Sequence, residues 1–402
     1  MNILTGINVK KTLYSHLQGR KVTNEQSGKW LNYLCISMPS YVCAFMVFYS
    51  LLSFSMNADS AYGQAAAENK SEQIPSPSSE INLKDIPNRI VYESYRRTEG
   101  RSNWEIIMND ANDSNQVNLT KTPDIDEMYP HVSPDGSKIC FVVDEGTTRR
   151  NKVRSVYYMN IDGTNRVEVA RNARQPCWSP DGKKIAYLRG EYERYNQSEY
   201  ATAGLVIYDL ETRKHQNHPN PNLIHMYAIC WSPDGNWFLG VVKGNSEYSD
   251  AILAFDANGT GVFDLAAWGV KGCRPDFSRD GKQITWGETD WDLCIGDFNI
   301  GQQGPSVSNI RKVVNCRQNM KVYHVDFSPD SKYIIFSYGS SEGGQQVGGL
   351  ANGWDICIAD LTGKWYKITN DGRHNKEPDW IPVTLNSKTE TDKPVSVQAD
   401  SS

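Results

Sequence analysis

The clearest candidate for covalent chemistry is Gly339-Ser340-Ser341-Glu342-Gly343, which has the Gly-x-Ser-x-Gly spacing of a nucleophile elbow. That motif presents a serine hydroxyl from a strained turn between a strand and a helix. Here Gly344, Gly348, Gly349 and Gly353 follow, so the expected structure is a flexible glycine-rich loop without a nucleophile. His215-Gln216-Asn217-His218 brings two imidazoles close in sequence and could hold a metal. It runs into Pro219 and Pro221 with no acidic partner at ligand spacing, and it reads as a solvated turn. The expectation is therefore no catalytic residue, no metal ligand and no cofactor.

The rest of the chain is organised by one tetrapeptide. Ser-Pro-Asp-Gly begins at Ser133, Ser179 and Ser232, with variants Ser278-Arg279-Asp280-Gly281 and Ser328-Pro329-Asp330-Ser331. The starts lie 46, 53, 46 and 50 residues apart. Val132, Trp178, Trp231, Phe277 and Phe327 precede the serines, and a strand-like run follows each turn. Proline fixes φ for the turn, aspartate suits the next position, and glycine accepts a left-handed backbone leading into a hairpin. A second apolar run and a shorter one complete each unit, as in Val156-Tyr157-Tyr158-Met159 and Ile356-Cys357-Ile358-Ala359. Four short antiparallel strands in about 50 residues have the size of a propeller blade.

The ends of the array set the blade count. Arg89–Tyr92, Trp104–Met108 and Val117–Thr120 supply a second, third and fourth strand without a first. Glu377–Val383 supplies a first strand with nothing after it. The fold expected is an all-β, six-bladed β-propeller over residues 88–383, its N-terminal blade closed by the C-terminal strand.

Seven cysteines follow the N-terminal segment, none at Cys-x-x-Cys spacing. Cys177 and Cys230 hold the same place in adjacent inner strands, and Cys294 and Cys357 match in outer ones, as small buried residues would. An odd count leaves at least one thiol free, and Cys273–Cys316 is the first bridge to test.

Residues 1–29 are polar and basic, and residues 30–56 are apolar, most densely over 41–56. Small residues follow, so residues 1–63 read as a secretory signal with cleavage after Gly63, or as an uncleaved membrane anchor. Cys35 and Cys43 lack the small-residue context of a lipoprotein cleavage site. Residues 64–87 read as a disordered linker and 384–402 as a disordered tail. The first 63 residues hold five basic and two acidic residues, leaving 37 basic against 45 acidic and a net charge of −8. That body lacks the basic face a nucleic-acid binder needs.

A site in such a fold belongs at one mouth of the central channel, where chain leads into the innermost strands. Alignment on the turn serines places Met128-Tyr129, Arg174-Gln175, Tyr227-Ala228, Cys273-Arg274, Tyr323-His324 and Lys376-Glu377 there. Tyr129, Arg174, Tyr227, Arg274, His324 and Glu377 are the candidate binding residues. His131 takes the place of Cys177, Cys230, Asp276, Asp326 and Asp379 and belongs to the inner wall.

The five turns, with Trp354-Asp355-Ile356, Leu361-Thr362-Gly363 and Ile368-Thr369-Asn370, resemble the TolB-type, WD40-like propeller-repeat family over Asn88–Val383. The resemblance implies an exported, periplasmic or surface protein that binds other proteins without catalysis. TolB carries a folded domain ahead of its propeller, and residues 64–87 are too short and polar to form one. The expected function is a monomeric binding scaffold in the cell envelope, periplasmic, secreted or held by its N-terminal segment. Its partner is an envelope protein or peptide at the channel mouth. The alternative is a carbohydrate-active enzyme similar to oligogalacturonate lyases, which hold a metal with histidines over the channel. His324, His131, Arg274 and Arg174 are the candidates for that reading.

Overall fold

The repeated turns fold as their residue types require. In the computed structural model, which describes Ile81, Ile86 and residues 89–382 apart from 112–114, 149, 245–247, 249, 289–291 and 345, Gly136, Gly182, Gly235 and Gly281 all take φ between 69° and 75°. Each turn serine carbonyl accepts the N–H three residues on at 2.8–2.9 Å. The serine hydroxyl donates to the turn aspartate at 2.6–2.8 Å and accepts the N–H five residues on at 2.9–3.0 Å. Both ends of the hairpin are thus pinned by one side chain.

Six four-stranded antiparallel sheets result. Blade 2 runs β4 (Asp126–Val132), β5 (Lys138–Glu145), β6 (Val153–Asn160) and β7 (Val167–Arg171), from the channel outwards. Blade 3 comprises β8 (Ala173–Trp178), β9 (Lys184–Gly190), β10 (Thr202–Asp209) and β11 (His215–Asn217). Blade 4 comprises β12 (Met226–Trp231), β13 (Trp237–Val242), β14 (Ala251–Asp256) and β15 (Val262–Asp264). Blade 5 comprises β16 (Gly272–Phe277), β17 (Gln283–Glu288), β18 (Leu293–Gly301) and β19 (Gly304–Val314). Blade 6 comprises β20 (Met320–Phe327), β21 (Tyr333–Ser340), β22 (Asp355–Asp360) and β23 (Trp365–Lys367).

Blade 1 takes its inner strand from the far end of the described chain. β24 (His374–Ile381) pairs with β1 (Arg89–Thr98), which continues to β2 (Arg101–Asp110) and β3 (Val117–Asn118). Its register runs from Arg89↔Ile381 to Tyr95↔His374. The expected closure is therefore present, and it pairs the edge of β1 that would otherwise be open.

Each pair of neighbouring blades encloses its own apolar cluster. Blades 4 and 5 share Leu239, Ile252, Phe277 and Trp286, and blades 6 and 1 share Ile335, Ile358, Ile90 and Tyr92. Two inner-strand tryptophans also reach the preceding blade. The Trp178 indole donates to the His131 carbonyl at 2.9 Å, and the Trp380 indole to the Asp326 carbonyl at 3.2 Å.

The linker expectation needs one correction. Ile81 and Ile86 are 8% and 5% exposed and sit in the cluster between blades 6 and 1. Apolar side chains in an otherwise polar stretch have found a ready-made groove. The remaining expectations for 1–63, 64–87 and 384–402 lie outside the described residues.

All seven described cysteines are free thiols, so Cys273 and Cys316 form no bridge. Cys273 lies in an inner strand beside Arg274, whereas Cys316 lies close to Cys357. His218 is a second correction. It is buried, with its Nε2 bonded to the Asp256 carbonyl at 2.8 Å and its ring edge-on to Phe255. Only His215 keeps the exposed setting expected for both.

Candidate functional site

The six inner strands share a distortion just ahead of their turns. Each carries a register shift. Tyr129, Gln175, Ala228, Arg274, His324 and Glu377 occupy the same place in it, with φ between 48° and 53°. A left-handed residue that is not glycine costs about 1–2 kcal/mol, and six in a ring mark a feature of the fold rather than an accident of one blade. The bulge exposes backbone N–H groups that side chains of the preceding blade satisfy. Tyr129 donates to Glu93 at 3.0 Å, Ala228 to Gln175 at 2.7 Å and Glu377 to Ser337 at 3.2 Å.

Two residues on, His131, Cys177, Cys230, Asp276, Asp326 and Asp379 form a second ring. A cavity of about 90 Å³ opens beside it on the turn side, lined by His131, Asp276, Asp326, Asp379 and the turn prolines. Burial, and then the nearby Asp326, push Asp379 up to about 8 and Asp276 well above the carboxylate range. Burial brings His131 down to about 4. His131 is thus on the inner wall, as the alignment predicts.

The opposite mouth carries the predicted binding residues, and it is closed. Tyr129, Arg174, Arg274, His324 and Glu377 are all buried, and Tyr227 is half-buried. Two loops cover them: residues 191–201, between β9 and β10, and residues 341–354, between β21 and β22. Glu199 from the first loop reaches inwards and receives Arg274 Nη2 on both oxygens, at 2.6 and 2.8 Å. The Tyr323 hydroxyl donates to the same carboxylate at 3.0 Å, and the Val347 N–H of the second loop donates to it at 2.5 Å. Arg154 holds Asp144 at 2.7 and 2.8 Å, and Tyr195 donates to Asp144 at 2.7 Å. Arg174 donates to the Ser198 carbonyl at 2.6 Å, and Lys376 to the Gln346 carbonyl at 2.8 Å.

Beneath this cap Glu377 Oε2 bridges two cations, Arg274 Nη1 at 3.0 Å and His324 Nδ1 at 2.7 Å. The other His324 nitrogen meets Asp326 at 2.9 Å. Burial opposes the His324 charge, but Asp326 and Glu377 outweigh it and raise its pKa to about 10. Burial likewise opposes the Glu377 charge, and Arg274 and His324 outweigh it, lowering its pKa to about 2. Glu199 and Glu377 together hold Arg274 well above its usual value against burial. Arg274, His324 and Glu377 thus form a buried network in which opposite charges hold all three in their ionised forms.

The glycine-rich loop is not the loose segment expected. Val347 is buried against Trp104, Met128 and Tyr129, and the Ala351 N–H donates to His374 at 2.7 Å. β21 leads into this loop and not into a helix, so no nucleophile elbow forms at Ser341. A Cβ on Gly339 would fall 2.0 Å from the Trp354 ring, so that glycine serves packing. Among the described residues no group of three or more His, Cys, Asp and Glu side chains is placed to hold a metal ion.

The repeat register locates the ring but not Glu199 and Val347, which reach it from loops outside the repeat. The usable signal was length: residues 191–201 and 341–354 are the longest connections between second and third strands.

No family model matches the sequence, and no curated protein does. Among solved structures, TolB from Acinetobacter baumannii aligns with a TM-score of 0.55 at 18% identity, covering 74% of this chain and 67% of that one. A chain of a nidogen/laminin complex aligns at 0.51 with 8% identity, covering 73% and 98%. An oligogalacturonate lyase in complex with manganese aligns at only 0.41 with 13% identity, covering 67% and 74%. In fold the chain is a six-bladed β-propeller, similar to that of TolB.

Proposed function

We propose that this propeller is an exported, non-catalytic binding scaffold of the cell envelope, acting as a monomer through the capped face of its channel. One observation carries the reading: Arg274, His324, Glu199, Asp326 and Glu377 at the centre of the mouth are spent on one another. His324 has a carboxylate on each ring nitrogen and a pKa raised to about 10. Near neutral pH it offers neither a lone pair to a metal nor a base to a substrate proton. The lyase reading asked both His324 and His131 to ligate, and the ion pairs at His324 weigh against it. The cap presents Tyr192, Tyr200 and Leu350 to solvent at 51%, 39% and 56% exposure, side chains that suit a protein contact.

Export is read from the basic and apolar N-terminal stretch alone. The partner proposed is an envelope protein or peptide. Photo-crosslinking from position 192 on the cap, compared with position 366 on an outer strand, tests the reading. The expected result is one discrete adduct from the cap and none from the outer strand. Formation of unsaturated product from acidic oligosaccharides, lost on His324→Ala, would overturn it in favour of the enzyme.

A further inference from the structure

We propose that the mouth is a receptor for a carboxylate, and that Glu199 occupies it in cis as a tethered stand-in for an acidic side chain of the partner. The inference rests on the scaffold reading and adds the chemistry its ligand must have.

The site around Glu199 has the parts of a built carboxylate pocket. The Arg274 guanidinium meets both oxygens, the Tyr323 hydroxyl and the Val347 N–H add donors to one of them, and every participant is buried. Charge-assisted bonds of this kind are the strong ones, and the guanidinium is divided, Nη2 serving both Glu199 oxygens while Nη1 holds Glu377. Arg274 is itself aligned from below by Glu377 and stacks on the Tyr323 ring, 4.0 Å from its centroid. The pocket therefore does not depend on Glu199 for its shape.

Glu199 is the removable part. Inner strands supply Arg274 and Tyr323, whereas Glu199 hangs from a loop fastened chiefly by polar contacts, Tyr195 to Asp144 and Ser198 to Arg174. Residues 191–194 of that loop are exposed. An exogenous carboxylate entering as the loop swings out would exchange one set of charge-assisted bonds for an equal one. The cost is then loop displacement together with the lost freedom of the incoming ligand, which Glu199, being tethered, does not pay. Val347 packs with Tyr129, and Trp354 with Tyr323, apolar surface beside the carboxylate that suits the methylenes of an acidic side chain better than a ring of sugar hydroxyls. A peptide carboxylate is thus favoured over a uronate.

The test uses the whole purified protein and two probes, a fluorescent peptide Gly-Gly-Glu-Gly-Gly and digalacturonate. Glu199→Ala should bind the peptide at least tenfold more tightly than the unaltered protein. Glu199→Gln, which keeps the side-chain shape, should show a smaller gain and serves if the alanine variant does not fold. Adding Tyr323→Phe to Glu199→Ala should weaken binding several-fold. Acetate should raise the melting temperature of Glu199→Ala and leave that of the unaltered protein unchanged. A folded Glu199→Ala that binds the peptide no better than the unaltered protein overturns the inference. A cap that still crosslinks its partner in that case leaves the scaffold reading standing. Binding of digalacturonate in place of the peptide overturns the peptide assignment.

Discussion

The backbone N–H of Arg279 donates to the Ser331 hydroxyl at 3.0 Å. These are the two residues that depart from Ser-Pro-Asp-Gly, one replacing proline in blade 5 and the other replacing glycine in blade 6. Elsewhere the turns meet differently, with a glycine against a proline. A Cβ on Gly182 would lie 3.8 Å from Pro134, and one on Gly235 would lie 3.5 Å from Pro180. Losing proline frees an N–H, and losing glycine supplies the acceptor. The departures that look like two weakened turns in the sequence form one hydrogen bond between adjacent blades.

Restoring the repeat at one of these positions alone should therefore behave differently from restoring both. Arg279→Pro removes the donor but rigidifies the unfolded chain, effects of about 1 kcal/mol each with opposite signs. Ser331→Gly removes the acceptor and relieves a residue held at φ 57°. A double-mutant cycle in denaturant should give a coupling of about 0.5–1 kcal/mol between the two sites. Additive changes would mean that the bond contributes nothing.

Closure by β24 predicts a steep penalty for truncation. Removing residues 374–402 takes the inner strand from blade 1, leaves β1 unpaired along its channel edge, and deletes Glu377 and Trp380 from their networks. The truncated protein should lose its single cooperative melting transition, followed by circular dichroism. An unchanged transition would show that the ring does not need its closing strand.

The buried isoleucines ahead of blade 1 predict where the stable unit begins. Ile86→Ala should cost roughly 2 kcal/mol, because it empties part of the cluster between blades 6 and 1. Brief proteolysis should leave a fragment that retains Ile81. Trimming to residue 88 without loss of stability would show that these contacts are dispensable.

The ring of blades was legible because each Ser-Pro-Asp-Gly turn is a local event, decided by four residues and repeated at blade spacing. The mouth ring followed from the same register, since Tyr129, Gln175, Ala228, Arg274 and His324 each precede their turn serine by four residues. Its left-handed backbone was not legible, because none of the six residues is a glycine and nothing in their side chains announces a bulge. Glu199 and Val347 were hidden for a different reason. They come from loops with no counterpart in other blades, so no alignment could bring them to Arg274. The burial of His218 is not legible in its own polar neighbours, because it comes from Phe238 and Phe255 of the next blade.

The His324 network predicts how stability depends on pH. His324 carries a folded pKa of about 10 against an ordinary 6.5, so the folded state binds the extra proton between those values. Its contribution is complete below about pH 6.5 and is lost as pH rises towards 10. The slope from this group approaches about 1.4 kcal/mol per pH unit inside the window. Glu377, lowered to about 2, behaves in the opposite sense: its contribution is present above about 4.5 and disappears on acidification. Lys321, brought down to about 8 by burial, titrates in the alkaline window with the reverse sign to His324. The informative measurement is therefore the difference between the unaltered protein and His324→Gln, which removes only one of the two. Stability from urea melts between pH 7 and 10 should fall more steeply in the unaltered protein. Parallel curves would mean that His324 is neutral at pH 7, and with it would go the charge network that argues against a catalytic or metal-binding histidine at this mouth.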